Sequence, residues 1–141
     1  MKAIYLTKYG GAEKAFTIKD LVTPSIDDNE VLIKNDCFGL NFADVVARRG
    51  LYPDAPKNPA VLGYDVAGTV VETGKNVTHV KQGDRVVALT RFGGYAEYSK
   101  TMKEGVALLP ENTSFEEGTA CLLYTSPSPR DRTRSRMPSS A

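Results

Sequence analysis

The feature that most constrains this chain is how often it is told to turn. Through the first hundred residues, short runs of β-branched and aromatic residues alternate with Gly, Asp and Asn clusters at close intervals, the pattern of an all-β barrel or sandwich. Strands are expected at Lys2 to Thr7, Phe16 to Val22, Glu30 to Cys37, Val66 to Thr73, Asp84 to Leu89, Tyr95 to Ser99 and Val106 to Leu109. Gly10-Gly11, Asp27-Asp28-Asn29, Gly74-Lys75-Asn76, Gly83 and Gly93-Gly94 supply the turns between them, because these residues reach positive φ cheaply or bond their own backbone. The fold class is therefore mainly β with a few short helices.

One helix is expected after Asn41, where Phe42, Val45, Val46 and Arg49 set an apolar face against charge and Gly50 can end the run. The loop from there to Gly63 holds Pro53, Pro56 and Pro59, which keep the residues before them out of helical backbone. A second helix begins at Ser114, since Ser114-Phe115-Glu116-Glu117 is a capping box. From Tyr124 the composition changes abruptly. Residues 124–141 contain three prolines, four arginines and almost nothing apolar, so burial cannot offset the entropy of ordering them. The expected division is one domain over residues 1–123 and a disordered, non-native tail over 124–141. That tail resembles translated sequencing-adapter read-through more than an arginine/serine-rich RNA-binding segment.

Charge excludes little but is instructive. Residues 1–126 carry 14 Lys and Arg against 16 Asp and Glu, a net of −2, which gives no reason to invoke nucleic acid. Cys37 and Cys121 are the only cysteines and form no C-x-x-C spacing, so no disulfide framework or cysteine zinc site is read from them. The N-terminus turns polar at once and no run approaches the roughly 20 apolar residues of a membrane span. A cytoplasmic location is expected. Two glycosylation-type tripeptides, at Asn76 and Asn112, matter only on a secretory route.

The densest cluster of chemistry-bearing residues lies between Gly39 and Gly68. Gly39-Leu40-Asn41-Phe42-Ala43-Asp44, Gly50-Leu51-Tyr52-Pro53, Pro59-Ala60-Val61-Leu62-Gly63-Tyr64-Asp65-Val66-Ala67-Gly68 and Gly83-Asp84-Arg85-Val86 follow in that order. Together they resemble the medium-chain dehydrogenase/reductases, on the quinone oxidoreductase (zeta-crystallin) branch and close to the vesicle amine transport protein group. The resemblance covers residues 1 to about 123. It implies a GroES-like β-barrel on the substrate side of a cleft, followed in such proteins by a Rossmann domain that holds NADPH. No G-x-G occurs in the chain, so the phosphate-cradling fingerprint of a Rossmann unit is absent from it. The sequence is thus read as an N-terminal fragment, inactive alone.

Zinc-dependent members of that superfamily carry Cys where Asn41 stands and His-Glu where Tyr64-Asp65 stands. Asn and Tyr are poor zinc ligands, and the short Thr90 to Gly94 segment has no cysteine for a structural zinc lobe. No metal is expected. Without one, a carbonyl oxygen gaining charge needs hydrogen-bond donors, and Asn41, Tyr52 and Tyr64 can each supply one. The resemblance assigns Asn41 to the nicotinamide side of the cofactor or to the substrate, and Tyr52 to the substrate mouth. It has Asp44 anchoring Asn41 or a tyrosine. Against this, Asn41 also suits a helix N-cap, the tyrosines suit packing, and Arg48-Arg49 suit a helix C-terminus as well as a phosphate. His79, the only histidine, reads as a surface residue.

The expected function is hydride transfer from NADPH to a quinone or enone by the parent enzyme, of which this is the substrate-side domain. The rival is a GroES-like binding or membrane-associated module without reductase activity. Peripheral membrane association and a homodimeric parent both remain open at this point.

Overall fold

The computed structural model describes residues 1–125, which build two antiparallel sheets, three short α-helices and one 3-10 turn at Lys103–Gly105. The larger sheet contains β3 (Glu30–Phe38), β5 (Asp65–Thr73), β6 (Arg85–Leu89), β7 (Tyr98–Met102) and β8 (Val106–Leu108), in the order β7-β3-β5-β6-β8. Its register sets Ile33 opposite Val70 and Val66 opposite Ala88, so β-branched side chains from neighbouring strands meet on one face. Val31, Ile33, Val66, Val70 and Val86 are almost fully buried there, each contributing about 1.5–3 kcal/mol by leaving water. The other face is covered by helix α3 (Phe115–Thr125), whose Phe115 packs with Ala67, Val87 and Leu109. That double cover explains why residues 65 to 68 of β5 are buried without alternation.

The smaller sheet has the order β2-β1-β4, from β1 (Lys2–Leu6), β2 (Phe16–Asp20) and β4 (Ala60–Val61). A one-turn helix α1 (Ala12–Ala15) joins β1 to β2. Leu6, Ala15, Leu62 and Tyr95 form a second core, joined by Ala47 of helix α2 (Phe42–Arg48) and by Phe16, Phe38, Tyr52 and Phe92. Aromatic rings dominate here: Phe38 and Tyr95 lie 4.7 Å apart between centroids.

Both expected helices form where their end signals place them. Gly50, at φ 77°, follows α2, and the Glu117 N–H donates to Ser114 Oγ at 3.1 Å at the start of α3. Three expectations need correction. The run Tyr95 to Ser99 is not one strand: β7 begins at Tyr98, and the residues before it bond to β1, with Ile4 N–H to Tyr95 O at 2.8 Å and Glu97 N–H to Lys2 O at 3.0 Å. The chain passes from one sheet to the other within that run, so hydrophobic alternation alone could not frame it. Phe42 does not belong to a buried face of α2. It is 80% exposed, while Asp44 and Ala47 are the buried residues. Val22 lies past the end of β2 and is 90% exposed. The tail expected over 124–141 falls, from residue 126 onward, outside the described residues.

Candidate active site

The site is built at the start of α2. Asn41 is its N-cap and forms a reciprocal capping box with Asp44, the arrangement that satisfies orphan N–H groups in a first helical turn. Asp44 Oδ2 accepts from the Asn41 backbone N–H at 3.1 Å, and its Oδ1 accepts from the Gly63 N–H at 3.3 Å. Asp44 thereby ties α2 to the turn that leads into β5. It does anchor Asn41, through the backbone. It also lies beside the Tyr95 hydroxyl, whose pKa is pushed up chiefly by burial and further by the Asp44 carboxylate.

The Asn41 side chain is itself held in place. Its Nδ2 donates to Asp65 Oδ1 at 2.6 Å. Asp65 opens β5 and is 1% exposed. Burial raises its pKa, the hydrogen bond from Asn41 opposes the rise, and the nearby Asp44 charge adds to it. Gly39 makes the space: a β-carbon there would fall on the Asp65 carboxylate. The Gly39 and Asp65 positions were visible in the sequence, but nothing in their spacing announced that one fills the other's side-chain volume.

The tyrosines form a second group. The Tyr52 and Tyr64 hydroxyls lie 3.2 Å apart, and the Phe92 ring packs edge-on against Tyr64 with centroids 5.4 Å apart. Sharing a hydrogen bond with Tyr52 and partial burial push the Tyr64 pKa up to about 12, so its hydroxyl keeps its proton at neutral pH. The four residues expected in the site therefore fall into two pairs, Asn41 with Asp44 and Tyr52 with Tyr64. A groove of about 280 Å³ is lined by Asn41, Asp44, Arg48 and Tyr95 among apolar side chains, and neither Tyr52 nor Tyr64 reaches it.

Other candidates have quieter roles. His79 is exposed, with Nε2 2.9 Å from the Val106 carbonyl oxygen. Cys37 lies 3.5 Å from the Thr119 hydroxyl, and burial raises its thiol pKa, which makes it a weak nucleophile. Arg49 caps the C-terminal end of α2. Among the described residues, no three His, Cys, Asp or Glu side chains gather in a metal-binding group, and no helix is long and apolar enough to cross a membrane.

Two curled antiparallel sheets with a capped helix at one end and one helix behind define a GroES-like domain. Residues 27–113 match the alcohol dehydrogenase GroES-like domain. The quinone oxidoreductase of Sus scrofa is 40% identical over 121 residues, which cover 85% of this chain and 37% of that protein. The crystal structure of the human synaptic vesicle membrane protein VAT-1 homolog-like protein superposes with a TM-score of 0.81 at 34% identity, covering 85% of this chain and 38% of that one. Escherichia coli quinone oxidoreductase complexed with NADPH gives 0.79 at 34% identity, over 85% of this chain and 36% of its own. The chain belongs to the alcohol dehydrogenase GroES-like domain family, and its relatives include quinone oxidoreductases and VAT-1 homologues. It spans less than two fifths of the length of these relatives.

Proposed function

We propose that this chain is the substrate-side domain of a zinc-independent, NADPH-dependent quinone or enone oxidoreductase of the cytoplasm, inactive without the cofactor-binding half. The observation that carries the reading is the donor set. Reducing a quinone or enone places charge on a carbonyl oxygen, and fixed, neutral hydrogen-bond donors stabilise that charge best. The Tyr52–Tyr64 hydroxyl pair, in which one O–H is held in the bond between the two and the Tyr64 pKa is pushed up to about 12, leaves one such donor. Asn41 supplies another, three residues before Asp44 and clamped by Asp65.

Zinc-independence rests on the chemistry of the residues present. Asn41 and Tyr64 are weak zinc ligands, and the Asp65 carboxylate is engaged by Asn41. The chain does not fit the phosphates of a dinucleotide, because G-x-G is absent from its sequence. NADPH, when bound, supplies the hydride; holding its phosphates falls to residues outside this stretch, and Asn41 is the residue here assigned to its nicotinamide side. The likeness to an NADPH complex supports that cofactor.

A second reading, a binding or membrane-associated module without reductase activity, draws on the likeness to a synaptic vesicle membrane protein homologue. One experiment separates the two. The protein from the full-length transcript is assayed for loss of reduced-nicotinamide absorbance with a quinone and with an enone, before and after chelation, beside the 141-residue chain. Turnover by the longer protein that survives chelation, with none from the shorter, is expected. Absence of turnover with both acceptors would leave the module.

A further inference from the structure

We propose that Asp65 is a positioning residue: its buried carboxylate fixes which way the Asn41 side-chain amide points, and makes Asn41 a hydrogen-bond donor toward the cofactor or substrate. This deepens the proposed function and rests on its assignment of Asn41.

An asparagine amide is nearly symmetrical in shape, with two donors at one end and an acceptor at the other, so its orientation is set by its partners. An ionised carboxylate only accepts. Asp65 therefore selects the Nδ2 end, at 2.6 Å. In the capping box the side-chain oxygen faces the first turn of α2, which agrees with the same orientation. With the oxygen turned to the helix and one N–H turned to Asp65, the second N–H is what Asn41 has left to offer. A donor is what a carbonyl oxygen requires, whether of a quinone, an enone or a carboxamide.

Three features separate this from an incidental hydrogen bond. Asp65 is 1% exposed, and burying a carboxylate is unfavourable unless a donor meets it. Its donor is a half-buried side chain at the mouth of the domain, not backbone. The carboxylate also occupies the volume where Gly39 lacks a side chain, so its position is enforced from behind. Asp65 pairs with Leu89 across β5 and β6, in the interior of the larger sheet, and that sheet gives the amide a rigid base.

The test begins on this chain, by NMR of the Asn41 side-chain amide. In the wild-type sequence its two protons should differ strongly in shift, one held by Asp65. Asp65→Ala should collapse that difference and speed exchange with water. Gly39→Ala keeps both partners and only displaces the carboxylate, so it reads the same contact if Asp65→Ala does not fold; it should shift the Asn41 signals. Asn41 signals unmoved by Gly39→Ala, or by a folded Asp65→Ala, would overturn the proposal. In the longer enzyme, folded Asp65→Ala should lower kcat by about 10²-fold, as misplacement of a reacting contact does, with little change in KM. Wild-type kcat in that variant would also overturn it. If the wild-type enzyme reduces neither quinones nor enones while the NMR coupling holds, the functional assignment fails and the Asp65–Asn41 clamp stands.

Discussion

The larger sheet and the α2 end of the molecule bury their side chains for different purposes. Val31, Ile33, Val66, Val70 and Val86 pack in the sheet with no polar atom to satisfy. At α2 the buried or half-buried groups are Asp44, Asp65, Asn41, Tyr52, Tyr64 and Tyr95, each engaged by a neighbouring polar group. Aliphatic packing is tolerant in direction and strong in sum, whereas a polar cluster is specific in direction and gains little net stability. A polar cluster that is to keep a fixed geometry needs the first as a base for the second.

The sharpest way to break this contrast is Ile33→Ala. Its side chain is fully buried, and the cavity should cost about 2–5 kcal/mol, read by urea denaturation. A loss below 1 kcal/mol would mean that the sheet is not the base. Tyr64→Phe should cost only about 1 kcal/mol in the same assay, yet lower kcat of the longer enzyme by about 10²-fold if the hydroxyl stabilises charge on the substrate. Equal kcat for Tyr64→Phe and wild type would return the tyrosines to packing.

Asp65 gives a test in pH. Burial is the main reason its pKa stands above the ordinary carboxylate value, so the native state holds that proton more tightly than the unfolded chain. Its contribution to stability is full below the ordinary value and is lost as pH rises through the native one. Asp65→Asn cannot ionise, so its Tm should improve relative to wild type across that window; a constant difference would show that Asp65 titrates normally. The smallest effect is expected of Phe42→Ala. The ring is 80% exposed, and stability should move by no more than about 0.5 kcal/mol.

Most of the larger sheet was legible in the sequence because its strands are β-branched runs closed by turn residues. The ends of α2 and α3 were legible because Asn41, Gly50 and Ser114 carry end chemistry in their own side chains or backbone. What escaped depended on partners distant along the chain. The two-residue β4 exists only because Ala60 and Val61 pair with β1. The outward turn of Phe42 follows from Asp44 and Ala47 taking the buried side of α2. In the site, Asn41 and Asp44 could be picked out by motif, but the Asp65 contact spans 24 residues of sequence and depends on the space left by Gly39. Periodicity carries no record of such a contact.

The segment Tyr95 to Met102 bonds first to β1 and then to β3, so a single length of backbone is sewn into both sheets. Tension or thermal opening at one seam is therefore carried into the other. The small sheet is not a flap that can lift while the large one stays shut. Amide protons of Ile4 and of Ile33 should exchange through a common opening, and a ligand that tightens the α2 mouth should slow exchange across both.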